Sequence, residues 1–115
     1  MKRGELVIVD FRSNNPGLGV RPALILQNDN DNGRMSNTIV AQVTTNVKRA
    51  HEESQYLIGL SHPDWANSGL RRPSVVNCSN IYTVEQRDVV KVIGALSEAT
   101  MGEINECLKV VLDIP

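Results

Sequence analysis

The feature that most limits how this chain can fold is its rhythm. Short, β-branched apolar runs follow one another closely, and no helical repeat appears between them. The runs are 5–11 (Glu-Leu-Val-Ile-Val-Asp-Phe), 21–27, 38–43, 55–60, 74–78, 80–83 and 89–95. Runs of this length, bounded by Gly, Pro, Asn and Asp, suit strands and are too short for helices. Helical spacing appears only at the end, where Ile104, Cys107, Leu108 and Val111 form one stripe with Leu112 at its margin. Glu103, Glu106 and Lys109 take the opposite face, as an amphipathic helix requires. Thr100 followed by Glu103 has the spacing of a capping box, which predicts the helix start there. Without alternation of strand and helix, the pattern predicts a mainly β fold, a small and strongly bent barrel with one C-terminal amphipathic helix packed on it.

Composition narrows the core. Aromatic residues are 3% of the chain against 41% apolar, so the interior must be built from Val, Ile and Leu. The length of 115 residues fits one domain over 1–115. Cys78 and Cys107 are too few and too far apart for a disulfide framework or a zinc site, and are expected to be small core residues. A formal net charge of -1 argues against non-specific coating of DNA, which needs many phosphate contacts. It leaves room for a local basic cleft, because local potential follows placement rather than the sum. Lys2 and Arg3 precede an apolar stretch that Glu5 and Asp10 interrupt, which is not the pattern of a secretory leader. No run approaches the length that crosses a bilayer. A cytoplasmic protein is expected.

The connections carry most of the polar residues. Residues 12–20 hold Asn14, Asn15, Pro16, Gly17 and Gly19 and read as a flexible loop,. Residues 28–36 read as a polar loop in which Asp29 and Asp31 resemble a calcium loop, but the closing glutamate and the flanking helices are missing. Residues 45–54 are hydrophilic and expected to be exposed. In the long connection 61–73, Trp65 is expected to pin the chain to the body.

Two polar residues sit flush against apolar strands: Arg21, beside Pro22 at the start of the second, and Thr44 at the end of the third. They are the candidate catalytic pair. Arg12, Arg34, Lys48, Arg49, Arg71 and Arg72 are candidates for holding a nucleic-acid backbone, Arg71-Arg72 foremost because Pro73 holds the pair near a strand. Trp65 and Tyr82 offer rings on which bases can stack. His51 and His62 have no partner at ligand spacing, so no metal or other cofactor is expected.

In order along the chain, Met1-Lys-Arg-Gly-Glu5, Val20-Arg-Pro-Ala-Leu-Ile-Leu-Gln-Asn-Asp29, Ile39-Val-Ala-Gln-Val-Thr44, Ile81-Tyr-Thr-Val84 and the ending from Leu96 to Ile114 resemble the MazF/PemK/Kid toxins. The resemblance is weakest between residues 46 and 70. It implies an SH3-like barrel, a homodimer, metal-independent cleavage of single-stranded RNA at short motifs, and neutralisation by a cognate antitoxin. Arg21 matches the catalytic arginine of that family and Thr44 its site threonine. Asn77 and Ser79 stand where some members carry an arginine and an aspartate, and Tyr82 where others carry an arginine. By that correspondence Asn77, Ser79 and Tyr82 join the RNA-binding candidates. Residues 12–20 lack the histidine that some members place there.

The chemistry suits such a pair. RNA carries its own nucleophile in the 2'-OH, so the protein must chiefly stabilise the crowded, charged phosphorane. An arginine fork can clamp two non-bridging oxygens, and Thr44 can donate one hydrogen bond. Neither is an obvious general base, and the proton carriers stay open. The alternative, also open, is a catalytically silent barrel that keeps RNA or antitoxin binding.

Overall fold

The computed structural model describes residues 1–13 and 15–115; Asn14 of the expected first loop lies outside the described residues. Six strands form one antiparallel sheet: β1 (Glu5–Asp10), β2 (Val20–Ile25), β3 (Asn37–Thr44), β4 (Gln55–Ile58), β5 (Ser74–Glu85) and β6 (Val89–Ala95). Their spatial order is β4-β5-β3-β2-β1-β6. The expected mainly β fold with a C-terminal helix is borne out. The sheet curls without closing, so β4 and β6 remain its edges.

Alternation along the strands produces two cores. Leu6 and Leu24 face one cluster, which the helix α3 (Glu98–Leu112) covers with Met101, Ile104 and Cys107. Their neighbours Val7, Val9, Ala23 and Ile25 turn the other way and pack with Phe11, Val40 and Val84. This is the period of two that a pleated strand imposes. Both cysteines are buried and free, as expected. Burial raises Cys78 to about 12, so its thiol stays protonated,.

Several local expectations need correction. Runs 74–78 and 80–83 are one strand, β5, bent by a bulge. Ala41 pairs with Ile81 but the next residue, Gln42, pairs with Asn77, leaving Cys78, Ser79 and Asn80 outside the ladder. Such a bulge bends the strand and lets β5 pair with β3 and β4 together. The helix α3 begins at Glu98 rather than Thr100. Ser97 caps it by accepting from Thr100 N at 3.3 Å, and Thr100 is buried within the first turn. Asp64 accepts from Ser97 N and Oγ at 2.9 and 3.0 Å, tying the 61–64 segment to the helix start.

Residues 28–36 are not all loop: α1 (Asp29–Arg34) occupies their centre. It has no apolar stripe, which is why periodicity misses it. Instead Asn28 caps it at Asp31 N, and buried Asn32 exchanges hydrogen bonds with Gln27 and accepts one from the Thr38 hydroxyl. The two aspartates are engaged locally, Asp29 with Arg3 N and Asp31 with Arg34.

A short helix α2 (Trp65–Ser68) lies in the 61–73 connection, with Trp65 packed on the first core. Gly69 ends it at a positive φ of 71°, where a side chain would be strained. The helix sits directly on β6 at Gly94, where a Cβ would come within 2.3 Å of Asn67 O. That backbone-to-backbone contact delivers Arg71 and Arg72 to the open end of the sheet.

Candidate RNA-binding groove and active site

Arg21 and Thr44 meet on one face of the sheet. The β2–β3 ladder ends at the pair Ala23–Gln42, and Arg21 and Thr44 lie two residues further along their strands. Both line one cavity of about 460 Å³ with Pro22, Gln42, Thr45 and Ser74. Thr44 Oγ1 accepts from Asn46 N at 3.1 Å, which leaves the hydroxyl proton to donate outward.

A second cavity, of about 470 Å³, shares Pro22, Thr45 and Ser74 with the first and adds Arg71, Arg72 and Lys91. A third, of about 230 Å³, shares Gln42 and Thr44 and adds Asn46, Arg49, Gln55, Asn77 and Asn80. The three adjoin through these shared residues, and this run of cavities is termed the trough. No Asp, Glu or His lines any of the three.

Apart from Arg49, charge in the trough is uncompensated. Among the described residues, Arg21, Arg71, Arg72 and Lys91 make no ion pair, whereas most other arginines do. Arg12 is held by Asp10 through Nε at 2.9 Å and Nη2 at 2.7 Å. The same hydrogen bonds keep the Asp10 carboxyl at about 2. Arg34 pairs with Asp31, and Arg49 grips both oxygens of Glu52 at 2.8 Å. Unpaired cations gathered in a concave surface free of carboxylates raise the local positive potential, which suits an anionic ligand.

The structure therefore brings together Arg21, Thr44, Arg71, Arg72, Asn77 and Arg49, the last already paired. Arg12, Arg34 and Lys48 do not line the trough. Ser79 touches it only through its backbone N–H, which donates to Asn77 Oδ1 at 3.0 Å. Tyr82 lies over the second core, tilted against Phe11 with ring centroids 5.3 Å apart. His62 joins neighbouring segments: its Nε2 is 2.7 Å from Tyr56 OH, and its Nδ1 accepts from Asp64 N. Tyr56 OH in turn donates to Glu103.

Sequence reasoning missed Lys91, although a lone cation inside Val-Val-Lys-Val-Ile is the same signal that marks Arg21. It also missed Gln42, Gln55 and Asn80, which only the register collects.

A small curled β sheet with Arg21 and Thr44 lining one cavity, and unpaired Arg71, Arg72 and Lys91 lining the next, defines a compact β protein with a cationic candidate site. Comparison with known proteins narrows that class. Residues 2–112 match the family described as PemK-like, MazF-like toxin of type II toxin–antitoxin system, and the chain belongs to this family. It is 29% identical over 115 residues to endoribonuclease EndoA of Bacillus subtilis (strain 168), covering 97% of this chain and 94% of that protein. It is 30% identical over 95 residues to endoribonuclease MazF6 of Mycobacterium tuberculosis (strain ATCC 25618 / H37Rv), covering 82% and 79%. Among solved structures, a mycobacterial endoribonuclease in complex with its cognate antitoxin superposes with a TM-score of 0.80 at 26% identity, covering 100% of this chain and 97% of that one. The M. tuberculosis toxin MazF-mt6 superposes with a TM-score of 0.79 at 25% identity, covering 96% and 98%.

Proposed function

We propose that the chain is the toxin of a toxin–antitoxin pair and an endoribonuclease that cuts single-stranded RNA at short motifs by attack of the 2'-OH on the adjacent phosphate. The supporting observation is Arg21 and Thr44 lining one cavity, next to a second whose cations Arg71, Arg72 and Lys91 have no carboxylate partners. The Arg21 guanidinium takes the non-bridging oxygens, where negative charge grows in the phosphorane, and Thr44 Oγ1 donates to the same group. Interactions that strengthen as charge develops are the ones that accelerate the step. Arg71, Arg72 and Lys91 hold the flanking backbone. The reaction needs no metal in this scheme, because the nucleophile belongs to the substrate.

The same trough is the seat for a neutralising antitoxin, whose acidic and apolar residues would displace RNA. The edge strand β6 exposes Val90 and Val92, which supports a homodimer, since unpaired edges invite partners. One domain over 1–115 carries these functions, and the cytoplasm, where mRNA is translated, is their place. Among the described residues no helix is long and apolar enough to cross a membrane.

Incubation with a fluorogenic RNA library in excess EDTA tests the reading. Cleavage leaving 2',3'-cyclic phosphate and 5'-OH ends, lost in Arg21→Ala with folding intact, is expected. One observation favours a second reading, a silent binder: no imidazole or carboxylate lines the trough to take the 2'-OH proton. RNA retention without any cleavage decides for it.

A further inference from the structure

The far end of the trough differs in character from its cationic centre. Gln42 pairs with Asn77 across β3 and β5, and Asn77 pairs with Gln55 across β5 and β4. Three amides thus stand abreast on three adjacent strands, and the β5 bulge swings Asn80 in beside them. They line the cavity of about 230 Å³ that shares Thr44 with the Arg21 site. Apart from Arg49, already paired with Glu52, its polar lining is neutral, so it selects by hydrogen-bond pattern rather than by charge.

The bonds among these amides leave a defined set of free groups. The Ser79 backbone N–H donates to Asn77 Oδ1 at 3.0 Å. A backbone N–H can only donate, so this bond pins the Asn77 oxygen and leaves its Nδ2 hydrogens over. Gln55 Nε2 donates to Asn77 Oδ1 and to Ser54 Oγ, at 2.9 and 3.0 Å, leaving Gln55 Oε1. Asn80 Nδ2 donates to Gln42 Oε1 at 2.8 Å, leaving Gln42 Nε2 and Asn80 Oδ1. The pocket therefore holds two amide donors on neighbouring strands with acceptor oxygens alongside. Directly opposed side chains lie about 5 Å apart at Cβ, close to the spread of two carbonyls that flank an imide N–H.

That set complements one RNA base best. Uracil presents acceptor, donor, acceptor along its imide edge. Cytosine and adenine each bring an amino donor against a donor of the pocket, and guanine has one carbonyl with two donors. We propose that the Gln42, Asn77, Asn80 and Gln55 amides bind a uracil next to the scissile phosphate and so set the sequence preference of the protein. The inference rests on the trough being an RNA site and names the base it reads.

The test measures binding rather than cleavage, using fully 2'-fluoro hexanucleotides that lack the nucleophile. Each is oligoadenylate with a single U, C, G or 3-methyluridine. The U form is expected to bind about tenfold or more tighter than the C form. Methylation at N3 should remove the same factor. Asn77→Ala and Gln42→Ala should each reduce the U preference. Asn77→Asp keeps Oδ1 and its two hydrogen bonds while replacing the donor by an acceptor, so it should lose the preference at unchanged thermal stability. Arg21→Ala should weaken all four ligands alike. Equal affinity for the four, including no binding of any, overturns the proposal, as does a U preference that survives in Asn77→Asp and Gln42→Ala. Absence of RNA cleavage by the unmodified protein bears on the nuclease reading alone.

Discussion

Arg21 on β2 and Thr44 on β3 lie two residues beyond Ala23–Gln42, the last pair of the β2–β3 ladder, and line one cavity. Neighbouring strands are held about 4.8 Å apart by the ladder itself. Arg21 is held by pairing with Val9 on β1 and Thr44 by pairing with Val75 on β5, so both side chains rise from paired strands and not from a flexible loop. Pro22 restricts the chain beside Arg21, and Asn46 N orients the Thr44 hydroxyl at 3.1 Å. A site on rigid elements of this kind holds its geometry before the ligand arrives.

Thr44→Val keeps the β-branched shape and removes the hydroxyl. The cleavage rate is expected to fall by about one to two orders of magnitude, the value of one lost hydrogen bond to a charged group. Thr44→Ser should retain most of the rate. Single-turnover kinetics on one RNA oligonucleotide distinguishes the two. A Val variant with the unmodified rate would remove Thr44 from the mechanism.

Arg71, Arg72 and Lys91 lie along the backbone path without ion-pair partners. Each alanine substitution should lower the slope of log Kd against log salt by about 0.7, the increment for one phosphate contact on a single strand. Binding should weaken similarly for every RNA sequence. Arg12→Ala and Arg34→Ala, whose guanidinium groups already serve Asp10 and Asp31, should leave the slope unchanged.

Gly94 lies under α2 with no room for a side chain, since a Cβ would meet Asn67 O at 2.3 Å and Ser68 carbonyl atoms at 2.4 Å. Gly94→Ala must push α2 off β6. A loss of about 1–3 kcal/mol is expected from such overpacking, read as a lowered melting temperature. The substitution should also weaken RNA binding, because α2 leads into Arg71 and Arg72. Gly102→Ala, facing open space on α3, should be neutral or stabilising and serves as the control.

Asp64 ties the start of α3 to the 61–64 segment. Burial would raise its pKa, but hydrogen bonds from Ser97 N–H, the Thr100 hydroxyl and the Ser97 hydroxyl more than offset that, and the net direction is down. A carboxylate depressed in the folded state binds its proton more readily when unfolded, where the ordinary value is about 3.9. Its contribution to stability is thus complete above that value and is lost as pH falls through the lower folded value. Asp64→Asn should destabilise the protein at pH 7 and flatten the stability profile between about pH 5 and 3. Chemical denaturation across that range measures both effects.

Much of the architecture was legible from local pattern. The runs that became β1, β2, β3, β4 and β6 announce themselves because a half-buried strand must alternate or stay apolar over a few residues. Arg21 and Thr44 stood out because a polar side chain flush against such a run needs a reason. The bent strand β5 was read as two, because a bulge in the middle of a ladder leaves no mark that distinguishes it from a turn. Helix α1 was invisible to periodicity because Asn28, Gln27 and Asn32 hold it by polar bonds, not by an apolar face.

Strand content, the terminal amphipathic helix and the two candidate site residues Arg21 and Thr44 follow from order along the chain, since burial and propensity act on neighbouring residues. Which cations stay unpaired, and which amides converge, do not. Lys91 lines one cavity with Arg71 and Arg72 where α2 seats on Gly94, and Gln42 meets Asn77 and Gln55 through the shifted register of β5. Those contacts join residues far apart in the chain, and their partners are selected by packing and by the ladder rather than by any local preference.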